Sequence, residues 1–189
     1  MKPLFVKSLI LFFKASSTTR VIIPIQLLGF IAAIYTLVIY FFDLIFSAYQ
    51  GYVFYLIQSV FLFILIKAYR ENYRQGVITY GQAVTTGVII SLYTAIIYSS
   101  FIYILYAFID TGLVNKQLAF VEETFIKAGV PQKFIDTGLE MQKKFLQPAI
   151  YAPTRLVSNF FGGTILTLII AIFIKKENNP LVEISDTKK

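Results

Sequence analysis

The residues whose type and spacing could do chemistry are few: the carboxylates Glu122, Glu123 and Glu140, and the cations Lys67, Arg70 and Arg74. The chain has no His and no Cys. That removes the usual general base, the commonest metal ligand and the axial His of a haem. It also removes a thiolate nucleophile, a disulfide, an iron–sulfur cluster and a cysteine zinc site. Catalysis would have to rest on Asp, Glu, Lys or Tyr, and only ten acids exist. Glu122, Glu123 and Glu140 sit where amphipathic helices turn their polar faces to water. The expectation is a protein that is not an enzyme, with no metal and no cofactor.

Lys67, Arg70 and Arg74 stand against one acid, Glu71, in a short polar bridge. Arg presents a planar donor fork that suits phosphate, so the trio is a candidate contact for anionic lipid headgroups. The same residues also read as ordinary cytoplasmic positive charge, with Tyr69, Tyr73 and Tyr80 as interfacial anchors. Gly76, Gly81 and Gly87 match neither the P-loop nor the dinucleotide pattern, and are read as shaping an interfacial turn. A net charge of +7 could suggest nucleic acid. The basic residues flank apolar runs and form no stripe, so no nucleic-acid partner is expected.

Those apolar runs set the class. Of 189 residues, 57% are apolar and 14% charged, whereas a soluble domain is about 25% charged. The chain reads as an all-α integral membrane protein in one domain, 1–189. Residues 1–18 read as an interfacial basic helix. Spans are expected at about 20–42, 45–67, 80–109 and 156–174, each bounded by charge. Pro24 is tolerable near a helix start, and Asp43 marks a tight turn between the first two spans. The stretch from Tyr80 to Ile109 would be about 45 Å long as a helix, so it must tilt, kink or protrude from a core of about 30 Å.

The polar segment 110–155 carries six basic and five acidic residues. Val114, Leu118, Val121 and Phe125 recur at helical spacing. Gly129 should end that helix and Pro131 open another, which runs to about Leu146 before Pro148 and Pro153 break the chain. The result is a four-helix bundle with a short extracytoplasmic pair of amphipathic helices. With both termini cytoplasmic, 11 basic residues lie inside and six outside, as the positive-inside rule requires. The tail 175–189 is then cytoplasmic.

Inside the spans the strongest polar groups are Gln26, Gln58 and Asn159, with no acid or base, which argues against a coupled ion transporter. Span three instead carries Ala83, Gly87, Ser91, Ala95 and Ser99, all small and four residues apart. Such a ladder lines one helix face and lets another backbone approach closely. Gly29 and Ala33 in span one, with Gly163, Thr167 and Ala171 in span four, extend the pattern. These faces could be an intramolecular seam or a partner surface.

The run Tyr69-Arg70-Glu71-Asn72-Tyr73-Arg74-Gln75-Gly76, with Ile78-Thr79-Tyr80-Gly81-Gln82-Ala83 and Gly87 after it, carries a resemblance. Together with Ala128-Gly129-Val130-Pro131 and Gly162-Gly163, it resembles the domain of unknown function 4199 family. The resemblance implies a small four-span inner-membrane protein of a kind found mainly in Bacteroidota, and no activity. A proline expected soon after span three is missing from Asp110-Thr111-Gly112. Size, missing chemistry and the small-residue faces together suggest an accessory subunit of a larger inner-membrane complex. The alternatives are a lipid or small-molecule translocator, or, by size and span count, a membrane partner of a polyprenyl-phosphate glycosyltransferase.

Overall fold

The structure, a computed structural model, describes residues 19–42, 44–47 and 49–176, with side chains of the first helix from Leu27 onward. The expected helix over 1–18, Asp43, the side chains of Pro24 and Gln26, and the tail beyond Lys176 lie outside the described residues. The helices are α1 (Thr19–Phe41), α2 (Gln50–Tyr73), α3 (Tyr80–Ile104), α4 (Leu113–Lys127), α5 (Gln132–Phe145) and α6 (Pro148–Ile174). A π-helical turn, Leu105–Ile109, prolongs α3. No strand occurs among the described residues. Three helices are long and apolar enough to cross a membrane: α2, α3 with its π turn, and α6. In α1 the described apolar stretch is the shorter Leu27–Phe41.

The long helices pack side by side. α3 lies mainly against α6, then α1, while α2 lies against α6 and α1. Two boundaries differ from expectation. α2 starts at Gln50, because turns closed by Leu44 N to Ile39 O (2.8 Å) and Ser47 N to Leu44 O (2.9 Å) use up the preceding residues. It then runs on through Lys67 and Arg70 to Tyr73, since Lys, Ala, Arg and Glu are strong helix formers. α6 begins at Pro148, not near Leu156. Pro148 fits the first turn, where no amide donor is needed, and Pro153 sits inside the helix. A proline there frees one carbonyl and does not end the helix.

The other ends follow local rules. Gln75 (φ 53°) and Gly76 (φ 81°) turn left-handed after α2, and Gly76 N closes on Arg70 O at 3.1 Å. Thr79 and Gln82 form a reciprocal capping box at the start of α3. Ile78 and Lys176 exchange two backbone hydrogen bonds, each 2.9 Å, which tie the start of α3 to the end of α6. Gly129 (φ 72°) ends α4 as its position suggested, and Pro131 caps α5. On α4 the residues Val114, Leu118, Val121 and Phe125 are half-buried along one face. At the far end of α3, Asp110 accepts from Lys116 Nζ (2.8 Å), Tyr40 Oη (3.1 Å) and Gly112 N (2.9 Å). The Lys116 hydrogen bond, ahead of the others, holds its carboxyl below the ordinary range.

Candidate functional site

All five residues of the α3 ladder are buried: Ala83, Gly87, Ser91, Ala95 and Ser99. Opposite them on α6 lie Gly163, Thr167 and Ala171, also buried. The contact leaves no room for a larger side chain. A Cβ on Gly87 would land on the Thr167 methyl, 2.7 Å from Thr167 Oγ1 and 2.9 Å from Ile66 Cδ1. A Cβ on Gly163 would lie 2.7 Å from Ser91 Oγ and 2.8 Å from Gln58 Nε2. On α1, Ala33 is buried and a Cβ on Gly29 would meet Ile97 at 2.7 Å. The structure thus brings the small-residue positions of α3 and α6 together inside one chain, while Gly29 of α1 packs on Ile97, outside the α3 ladder.

A polar knot crosses this seam. Gln58 of α2 donates to Asn159 Oδ1 of α6 at 3.2 Å, between residues 101 apart in sequence. Both are buried, as is Ser91 beside them. Among apolar helices, such side-chain amides find one another because the alternative is an unpaired group in hydrocarbon.

The basic trio divides. Arg70 donates to Ile174 O (2.8 Å) and to Glu71 Oε1 (2.6 Å), so it closes the end of α6. That carbonyl is one of the last of α6, a position cations favour. Lys67 and Arg74 remain exposed, Arg74 with its guanidinium 5.9 Å from the Tyr69 ring centroid. Lys67 and Arg74 thus stay at the surface, whereas Arg70 is largely spent within the chain. Gly87 belongs to the seam, and Gly76 alone of the three glycines shapes the turn.

At the opposite end lies a cavity of about 180 Å³ that sequence reasoning did not place. Its walls come from Thr36 of α1, Tyr98 of α3, Tyr106 of the π turn, Gln117 of α4, and Tyr151 and Arg155 of α6. A smaller chamber of about 60 Å³ shares Gln50, Tyr98 and Arg155 with it and reaches Asn159. The π turn closes with Asp110 N to Leu105 O at 2.9 Å. Both Leu105 and Tyr106 are buried there, and Tyr106 donates to Gln117 Oε1 at 3.0 Å. Single π turns of this kind are frequent at functional sites. Arg155 donates to Tyr151 Oη and lies 4.9 Å from that ring's centroid.

A family model described as Protein of unknown function (DUF4199) matches residues 26–176. The chain belongs to that family. No curated protein and no solved structure matches it. The matched stretch of this DUF4199 chain ends at Lys176, the residue that pairs with Ile78, and includes the seam, the polar knot and the cavity. Arg155 escaped notice because Pro153 was expected to stop the helix, which left Arg155 as a boundary marker outside the spans. The readable signal was Tyr151 and Arg155 at four-residue spacing, which one helix brings together.

The seam yields a substitution test. Gly87→Leu should lower stability in detergent by about 3 kcal/mol, the upper part of the range for overpacking, because Thr167 and Ile66 cannot both withdraw. Val88→Leu, half-buried one position round the helix, should change little. Thermal unfolding of the two variants checks this, and equal melting temperatures would remove the seam from the account of stability.

Proposed function

We propose that this DUF4199 chain is a four-span, non-enzymatic accessory subunit of a larger inner-membrane complex. In this reading α1, α2, α3 and α6 form a membrane four-helix bundle with both termini cytoplasmic, and α4 and α5 form an extracytoplasmic amphipathic pair. The supporting observation is on α5. Ile135 and Leu146 turn inward and are buried, while Phe134, Met141 and Phe145 line an adjacent face and stay exposed. Ile126 of α4 is exposed as well. With the small-residue faces of α3 and α6 occupied inside the chain, this reading assigns docking to the exposed apolar face of α4–α5, outside the spans. The partner would be another membrane subunit with an apolar extracytoplasmic face; headgroups are the partner at the two ends of the bundle.

The translocator reading has less to stand on. Arg70, Ile174, Ile78 and Lys176 tie α2, α3 and α6 together at the end opposite the cavity. Any pathway would have to part these contacts.

Two measurements test the proposal. Tagged protein purified in mild detergent should bring down a stoichiometric membrane partner, and replacing Phe134, Met141 and Phe145 with Ser should lose it while thermal stability is kept. Repeated recovery of the wild-type chain alone would contradict the accessory role. Single cysteines placed in this Cys-free chain test the topology. Positions 115–150 should be labelled from outside intact cells, and positions 68–75 only after permeabilisation; the reverse pattern would invert the orientation.

A further inference from the structure

Among the described residues, Arg155 is a cation set between helices with no carboxylate paired to it. Three ion pairs join described residues, Arg70–Glu71, Lys116–Asp110 and Lys127–Glu123, and Arg155 is in none of them. Its Nε is sealed from solvent and has no hydrogen-bond partner. Tyr151 supplies one acceptor and a ring face, both neutral. Burying a charge is expensive unless it is paired and its donors are used. A second unused donor lies beside it: Asn159 is 4% exposed and its Nδ2 has no partner. Arg155 and Asn159 line the same side chamber. Two unfilled donors and a positive charge in one chamber call for an acceptor-rich anion.

The shape and depth of the chamber narrow the source. The side chamber, at about 60 Å³, exceeds the roughly 15 Å³ that one water needs, and it joins the larger cavity at Gln50, Tyr98 and Arg155. The side chamber is bounded by Tyr55 of α2 and Ser158 of α6, both exposed, so it opens sideways between those helices. Along α6, Arg155 lies about 30 Å from Lys175 at the helical rise of 1.5 Å per residue. That is about one hydrocarbon thickness. With Lys175 and Lys176 at one hydrocarbon boundary, a span along the bilayer normal would bring Arg155 to the other, within side-chain reach of the lipid phosphates.

We propose that the chamber around Arg155 and Asn159 is an oxyanion-binding site that takes the phosphate of an anionic phospholipid entering between α2 and α6. The site is independent of the accessory role: it concerns what the chain binds from the bilayer, not which protein it joins. It is also distinct from Lys67 and Arg74, which face the opposite end.

The test is native mass spectrometry and thermal unfolding of the full chain with phosphatidylglycerol, phosphatidylcholine or inorganic phosphate. Phosphatidylglycerol should be retained saturably and raise the melting temperature, with phosphatidylcholine retained far less. Equal retention of the two by the wild type would overturn the proposal without any variant. Arg155→Gln should weaken phosphatidylglycerol binding about tenfold or more, the loss expected for a charged hydrogen bond, and Arg155→Lys should fall between. Unchanged binding in Arg155→Gln would also overturn it. Stabilisation by inorganic phosphate alone, with nothing added by the lipid, would retain the oxyanion site and overturn the lipid source. Asp43, which precedes the lining residues Ile45 and Phe46 in sequence with Leu44 between, lies outside the described residues. Asp43→Asn should leave lipid retention unchanged. If instead Asp43→Asn rescued the stability of Arg155→Gln, Asp43 would be the counter-ion and the site would be intramolecular.

Discussion

Everything else in this protein depends on how closely α3 and α6 approach. Between helices in lipid there is no hydrophobic drive of the aqueous kind, so association rests on van der Waals contact and a few hydrogen bonds. Contact is dense only where side chains are small enough for backbones to meet. Gly87 against Thr167, and Gly163 against Ser91, are such places, because an added Cβ at either glycine has no free volume to enter. The short step from α3 to α6 also brings α2 close enough for Ile66 to reach Gly87 and for Gln58 to reach Asn159.

The seam has consequences at both ends of α6. At one end, Arg70 and the paired backbones of Ile78 and Lys176 finish the helix and tie it to its neighbours. At the other, the helices separate around bulky tyrosines, and the π turn places Tyr106 in the gap. Tight packing in the middle and space at one end are two results of the same distribution of side-chain volume. Arg155 is held in that space by an α6 that starts early enough to carry it between α2 and α3.

Much of this was legible in the residues, for definite reasons. Small residues repeated at four can only share a helix face, and all five on α3 are buried. Gly129 and Pro131 marked the α4–α5 turn because few residues tolerate those positions. Other features depend on tertiary context. Pro153 is compatible with a helix or with a break, and the sequence does not say which. Reading it as a break moved the start of α6 and placed Arg155 outside the spans. Arg70 resembled its neighbours Lys67 and Arg74 by charge alone, yet it reaches the carbonyl of Ile174, 104 residues away, and they do not. The π turn left no mark in the pattern of apolar residues, since Leu105-Tyr106-Ala107-Phe108-Ile109 is apolar throughout.

The approach of α3 to α6 within one chain can be measured directly because the protein has no native cysteine. Ala83→Cys combined with Ala171→Cys, which already carry Cβ atoms and lie in one buried cluster across the same seam, should cross-link under mild oxidation in native membranes, giving a faster-migrating monomer and no dimer. A cross-link formed only between two copies, or none at all with both thiols still reactive, would contradict the intramolecular seam on which the rest of the structure is built.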